Sequence, residues 1–299
     1  KELDDPSRHD DQHGPASNSG AALLNGLEVT DKKIGQIKVV VSGAGASALS
    51  CAAHYIRLGV RKENLLMCDS GGIITKKRKD AGELNRYKAK YARDIPDGGL
   101  TEALVGADVF LGLSKAGIVS GSMIEKMAAR PLIFALANPT PEIMPEEVAA
   151  VRYDAIMATG RSDYPNQIHN VLGFPYIFRG ALDVRAKEIT EGMKMAATKA
   201  LATLAKEPVP DDVAAAYGGE QMQFGPEYLI PKPFDARVLI WEASAVAQAA
   251  VDEGMARISA KDFDVDKYRE NLEARLGLTR SIMRHVINIA KKDRKKVVF

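Results

Sequence analysis

Short, almost wholly apolar runs recur through the first half of the chain: IKVVVSG (37–43), NLLMCDS (64–70), ADVFLGLS (107–114), PLIFALANP (131–139) and DAIMATG (154–160). Each is rich in β-branched or other apolar residues and is bounded by Gly, Pro, Asn or Asp, the pattern of a strand buried on both faces. Helical periodicity fills most of the gaps, at 46–58, 101–104, 120–128 and 145–150, and a short helix is predicted before them at 21–29. Strands alternating with helices call for a parallel sheet covered on both sides, so the predicted fold class is α/β, a Rossmann-like doubly wound parallel sheet. Beyond about residue 170 the strand signals stop, and helical patterns at 174–185, 190–205, 236–254 and 266–292 predict a helical C-terminal portion. A loop-rich stretch at 207–233 holds five prolines. The organisation expected is a polar N-terminal segment (1–19) with part of a metal site, a dinucleotide-binding domain (20–185), a helical extension packing on it (186–296), and the opening strand of a further, truncated domain (297–299).

Composition narrows the classes. With 46% apolar and 27% charged residues over 299 positions, the chain is an ordinary globular protein rather than a disordered one. Forty-one basic against 39 acidic residues give +2, which leaves no global field for nucleic acid. No apolar run reaches the roughly 18 residues that cross a bilayer, and no signal-peptide core is visible, so no membrane partner and a cytoplasmic location are expected. Cys51 and Cys68, the only cysteines, allow neither a disulfide framework nor a structural zinc site.

The first strand runs into Gly43-Ala44-Gly45-Ala46-Ser47-Ala48 and then a helix, a GxGxxA turn. Gly43 permits the tight turn, Gly45 lets the backbone approach a pyrophosphate, and Ala48 lets helix pack on strand; the helix N-terminus offers N–H groups to the anion. Asp69 closes the second strand, twenty-six residues after Gly43, near the position of the acid that binds an adenosine ribose. That carboxylate favours NAD. Lys76, Lys77, Arg78 and Lys79 follow in one loop and offer charge for a 2′-phosphate, with a solvated charge run as the alternative, so NADP or NAD stays open.

Ligands of open parallel sheets bind beyond the carboxyl ends of the strands, where three polar clusters fall. Asn138-Pro139-Thr140 ends one strand, and its asparagine can donate to a carboxylate or a coenzyme amide. Gly160 to Asn170, GRSDYPNQIHN, is unusually polar before an apolar helix. Turn chemistry is the competing explanation for both. His9-Asp10-Asp11-Gln12-His13 lacks zinc spacing; it reads either as a solvated acidic terminus or as an oxygen-rich site for Mg²⁺ or Mn²⁺.

Taken together, HDDQHG, GAALLNGLEV, GAGASA, CDSGG, ALANPTPEI, GRSDYPNQIHNVLGFPYIFRGALDVRA and FGPEYLIPKPFDAR closely resemble bacterial malic enzymes, over roughly residues 9–296. The likeness is nearest to the multidomain type, in which a phosphotransacetylase-like region follows. The resemblance implies NAD(P)-dependent oxidative decarboxylation of L-malate to pyruvate and CO₂ with a divalent cation, and a homo-oligomer. It further implies that Asp11, with Asp10 beside it, ligates the metal, that Asn138 and Asn170 hold the malate carboxylate and orient the nicotinamide end of the coenzyme, and that Gly43, Gly45, Ala48 and Asp69 keep the dinucleotide roles given above; Lys76 and Lys77 stay candidates for the coenzyme on their charge. Two departures stand out. Pro15-Ala16-Ser17-Asn18-Ser19 replaces the family's Thr-Ala start, and the family's tyrosine acid, lysine base and Glu-Asp metal pair precede HDDQHG, so no catalytic proton-transfer residue is assigned and the isolated chain is expected to be inactive. Alternatives are a non-catalytic NAD(P)-sensing or assembly module, or another Rossmann dehydrogenase of a small hydroxy or amino acid with His169 as its base.

Overall fold

The computed structural model describes residues 10–219 and 221–277, with side chains from Gly14 onward. In chain order the first elements are α1 (Asp10–Val29), β1 (Val39–Ser42), α2 (Ala46–Leu58), β2 (Leu65–Asp69), β3 (Gly72–Ile73), α3 (Lys76–Asp80) and α4 (Leu100–Leu104). There follow β4 (Val109–Gly112), α5 (Gly121–Ile124), β5 (Leu132–Ala135), α6 (Pro145–Val151), β6 (Ile156–Thr159) and β7 (Asn166–Gln167). The helical third comprises α7 (Phe174–Asp183), α8 (Glu191–Leu204), α9 (Asp211–Ala216), α10 (Arg237–Asp252) and a helical run at 265–277.

The strands form one sheet in the order β3-β2-β1-β4-β5-β6-β7, parallel throughout except for the antiparallel β2–β3 pair. Val39–Ser42 lies opposite Leu65–Cys68 on one side and Val109–Gly112 on the other. The winding therefore reverses between β1 and β4, which opens a crevice at their carboxyl ends. The apolar strand runs are explained by burial on both faces. Val39 and Val41 join Leu23, Tyr55 and Phe134 in a core under α1 and α2, whereas Val40 joins Phe110, Ile133 and Ile124 in a core under α4, α5 and α6.

The expected α/β architecture is present, with two additions and one correction. β3 and β7 have two residues each, too few for any alternation to register, and α3 and α9 are short and mostly polar. The correction concerns the N-terminal segment: α1 begins at Asp10 rather than at Ala21, runs through Pro15, and crosses residue 19 unbroken. Ser17, Asn18 and Ser19 read as loop from their polarity, yet all three are fully buried. Part of this stretch is used internally: Asn18 Nδ2 donates to the His169 carbonyl at 2.7 Å, and the main-chain carbonyl of Ser17 accepts from Thr198 Oγ1 at 3.2 Å. Further along, Asn25 Nδ2 donates to the Ala202 and Leu229 carbonyls, both at 2.8 Å. A buried carbonyl needs a donor, and α1 supplies it to three distant segments.

The C-terminal helices dock on this strut. Leu172, Leu201, Leu204, Ile230 and Val238 close around Ala21 of α1. His54 of α2 meets Thr198 of α8, Nε2 to Oγ1, at 2.8 Å. Thr190 caps α8 by accepting from the Met193 amide at 3.1 Å. Where α7 crosses α10 there is no room for a side chain: a Cβ on Gly180 would fall 2.3 Å from the Ala243 carbonyl oxygen.

Candidate coenzyme and substrate site

Gly43 leaves β1 at φ +112°, and a Cβ there would lie 2.6 Å from the Leu113 carbonyl oxygen. The fold itself thus demands glycine at this position. Gly45 is different. Its φ is −81° and a Cβ would meet nothing within 4 Å, so the fold places no demand on it. Ala48 is buried against the sheet, as predicted. No side chain caps the start of α2, and its first turn holds no acid, so its N–H groups face the crevice with the partial positive charge of a helix start. This cradle fits a pyrophosphate: glycine where the ligand would pass, amides where its charge would sit.

Asp69 ends β2 with its side chain only 10% exposed. Oδ1 accepts from Arg78 Nη1 and the Gly71 amide, and Oδ2 from Lys88 Nζ, each at 2.9 Å. Burial opposes its ionisation, but the Arg78 and Lys88 hydrogen bonds outweigh it and hold the carboxyl at about 2. The basic loop is therefore not arranged as expected. Lys76 pairs with Asp94 at 2.9 Å and Lys77, 82% exposed, with Asp97 at 2.8 Å. Both ammonium groups are engaged with acids other than Asp69, because α3 turns successive side chains to different sides; Arg78 is the one that faces Asp69. Lys88 escaped the sequence reading altogether. It lies nineteen residues from Asp69 and reaches it from a separate one-turn helix at 88–91, with no local motif to announce it.

Along the same crevice, Pro15, Ser47, Ser114, Asn138, His169 and Asn170 line a cavity of about 450 Å³. Ser47 belongs to the first turn of α2, so the cavity is continuous with the pyrophosphate cradle. Asn138, in a cis peptide bond to Pro139, lies against Gly160, where a Cβ would come within 3.0 Å of its Oδ1. Asn170 opens a short turn whose preceding carbonyl, that of His169, is held by Asn18. The two predicted asparagines are thus brought together from the loops after β5 and β7. His169 Nε2 lies 3.3 Å from Ser162 Oγ, and burial lowers its pKa, which favours the neutral ring. Ser47 and Ser114 were not singled out in the sequence; Ser114 Oγ meets Ser42 Oγ at 2.9 Å. Two other cavities, of about 270 Å³ beside Arg57 and about 720 Å³ beside Lys232, share no lining residue with this one.

Asp10 and Asp11 fall in the first turn of α1, and their side chains lie outside the described residues. Pro15, one turn on from Asp11, lines the cavity. Among the described residues no three His, Cys, Asp or Glu side chains come together to hold a metal. Cys51 and Cys68 are both free and buried.

The sequence pattern described as "Malic enzyme, NAD binding domain" matches residues 13–215. An NADP-dependent malic enzyme of Rhizobium meliloti is 50% identical over 99% of this chain and 38% of its own length. An NAD-dependent malic enzyme of the same organism is 48% identical over all of this chain and again 38% of its own. Overall identity therefore does not discriminate between the coenzymes, and the chain spans little more than a third of these curated relatives. Among solved structures, malic enzyme from Pyrococcus horikoshii superposes with a TM-score of 0.83 at 37% identity, covering 98% of this chain and 65% of that one.

Proposed function

The chain belongs to the malic enzyme family, of which it carries the NAD-binding domain, and from that premise we propose that it is the coenzyme-binding part of an NADP-preferring enzyme that oxidises and decarboxylates L-malate to pyruvate and CO₂. The observation that carries this reading is the single crevice running from the amides of α2 to the Asn138–Asn170 pair. When bound, the nicotinamide coenzyme accepts the hydride that leaves C2 of malate. The chain's own residues bind and orient. The α2 amides hold the pyrophosphate, Gly45 lets it approach, and the Asn138 and Asn170 carboxamides donate to the malate carboxylate and to the nicotinamide end. His169, beside Ser162, helps shape the pocket.

Coenzyme preference follows from charge at the ribose end. Arg78 and Lys88 both bond Asp69, and Arg78 also bonds Glu83 at 3.1 Å, so two cations balance two carboxylates; a 2′-phosphate is held there by charge-assisted hydrogen bonds from these two cations in exchange for carboxylate partners. The proposal assigns this role to Arg78 and Lys88 in place of Lys76 and Lys77. It keeps Asp11, with Asp10, as ligands of a Mg²⁺ or Mn²⁺ ion, and extends to a homo-oligomer, to a phosphotransacetylase-like region joined to the parent protein, and to the cytoplasm. No helix among the described residues is long and apolar enough to cross a membrane.

Titration calorimetry of the chain with NADP⁺ and NAD⁺ tests the reading. The expected result is tighter binding of NADP⁺, with Lys88→Ala weakening NADP⁺ about tenfold and leaving NAD⁺ nearly unchanged, the worth of one charged hydrogen bond. Failure to bind either coenzyme overturns it. Because the family's acid and base are not among these residues, the chain alone is expected to bind coenzyme without reducing it in the presence of malate.

A further inference from the structure

Behind the two loops that wall the substrate cavity lies a completely buried carboxylate. Glu142 has 0% exposure. Its Oε1 accepts from the Ser114 amide at 2.9 Å and its Oε2 from the Ala137 amide at 3.1 Å. Ser114 and Ala137 both line the cavity, one from the loop after β4 and the other from the loop after β5, and Ala137 immediately precedes Asn138. The Glu142 main chain ties the same loops: its carbonyl accepts from the Val119 amide at 3.0 Å, and that of Pro141 from the Gly117 amide at 3.1 Å.

Room for the carboxylate is made by the sheet. Gly112, the last residue of β4, faces it so closely that a Cβ would fall 2.3 Å from Glu142 Cδ. Burial pushes the Glu142 carboxyl upward, and the amides of Ser114 and Ala137 pull against that shift. An apolar side chain would fill this space at less cost in desolvation. What such a side chain cannot do is accept one hydrogen bond from each wall.

We propose that Glu142 is a positioning residue for hydride transfer, which fixes the Ser114 loop against the Asn138 loop by accepting one main-chain amide from each. The assignment rests on the coenzyme reading above. Reacting atoms must be held within a fraction of an ångström, so a small relaxation of Asn138 is expected to act on turnover far more than on coenzyme affinity, which is set at the α2 cradle.

The test uses the full-length enzyme that contains this chain. Glu142→Gln keeps one acceptor and turns an NH₂ group toward the other amide; kcat is expected to fall about tenfold or more while the Kd for NADP⁺ stays within about twofold. Gly112→Ala alone is expected to lower Tm through its clash with the carboxylate. Adding Glu142→Ala relieves the clash but leaves the Ser114 and Ala137 amides without that acceptor, so the double variant is expected to regain Tm only in part and not to regain kcat. Recovery of both means that Glu142 only fills space, and overturns the proposal, as does an unchanged kcat in Glu142→Gln. These outcomes differ from a failure of the coenzyme reading, in which the unaltered enzyme does not bind NADP⁺ at all.

Discussion

Two glycines of one turn are glycine for different reasons. Gly43 needs its positive φ and has a carbonyl oxygen 2.6 Å from where a Cβ would be, so Gly43→Ala is expected to destabilise the fold by about 2 kcal/mol, seen as a lower urea midpoint. Gly45 has open space around it, so Gly45→Ala is expected to leave that midpoint unchanged and to weaken NADP⁺ binding about tenfold or more, measured by calorimetry. The GxGxxA spacing and its two roles were legible in the sequence; the structure adds the Leu113 carbonyl that excludes a side chain at Gly43 and the open space around Gly45. Asp69 was equally legible as the strand-end acid; its two cationic partners were not, since adjacency in a loop says nothing about which way a side chain turns. A further outcome follows from its depressed pKa. The native carboxyl titrates at about 2 against roughly 3.9 in an unfolded chain, so its contribution to stability is complete above pH 4 and is lost as pH falls toward 2. The slope of the denaturation midpoint against pH in that window is expected to be shallower in Asp69→Asn than in the unaltered chain.

At the scale of elements, periodicity worked wherever one face or both faces of a segment are apolar, which covers β1, β2, β4, β5, β6 and the helices α2, α7, α8 and α10. It failed at α1. The first half of that helix buries Ser17, Asn18 and Ser19, so polarity there does not mark solvent; the Asn18 amide donates to the His169 carbonyl instead. Helix-on-helix packing had a sequence cue only in hindsight, as a lone glycine inside α7. Because Gly180 lets α7 approach the α10 backbone, Gly180→Ala is expected to push the two helices apart at a cost of about 1–3 kcal/mol, lowering Tm without altering NADP⁺ affinity.

For the molecule as a whole, Asn25 joins parts of the chain that lie 177 and 204 residues away, through carbonyls of Ala202 and Leu229. Asn25→Leu keeps the branched shape but leaves both carbonyls buried without that donor, and is expected to cost about 2–4 kcal/mol in denaturant titrations. The same ties make the sheet and the C-terminal helices one folding problem, so a piece ending at residue 185 is expected to lack a cooperative unfolding transition by calorimetry. Such long-range links leave no periodic trace, which is why the parallel sheet and the polar clusters at its strand ends were readable from the sequence while the strut that binds them was not. The sheet also ends abruptly on both flanks: β3 and β7 have only two residues each, and β3 runs against its neighbour. Rims this brief give another chain's backbone almost nothing to zip onto, which guards the folded chain against ribbon-like aggregation.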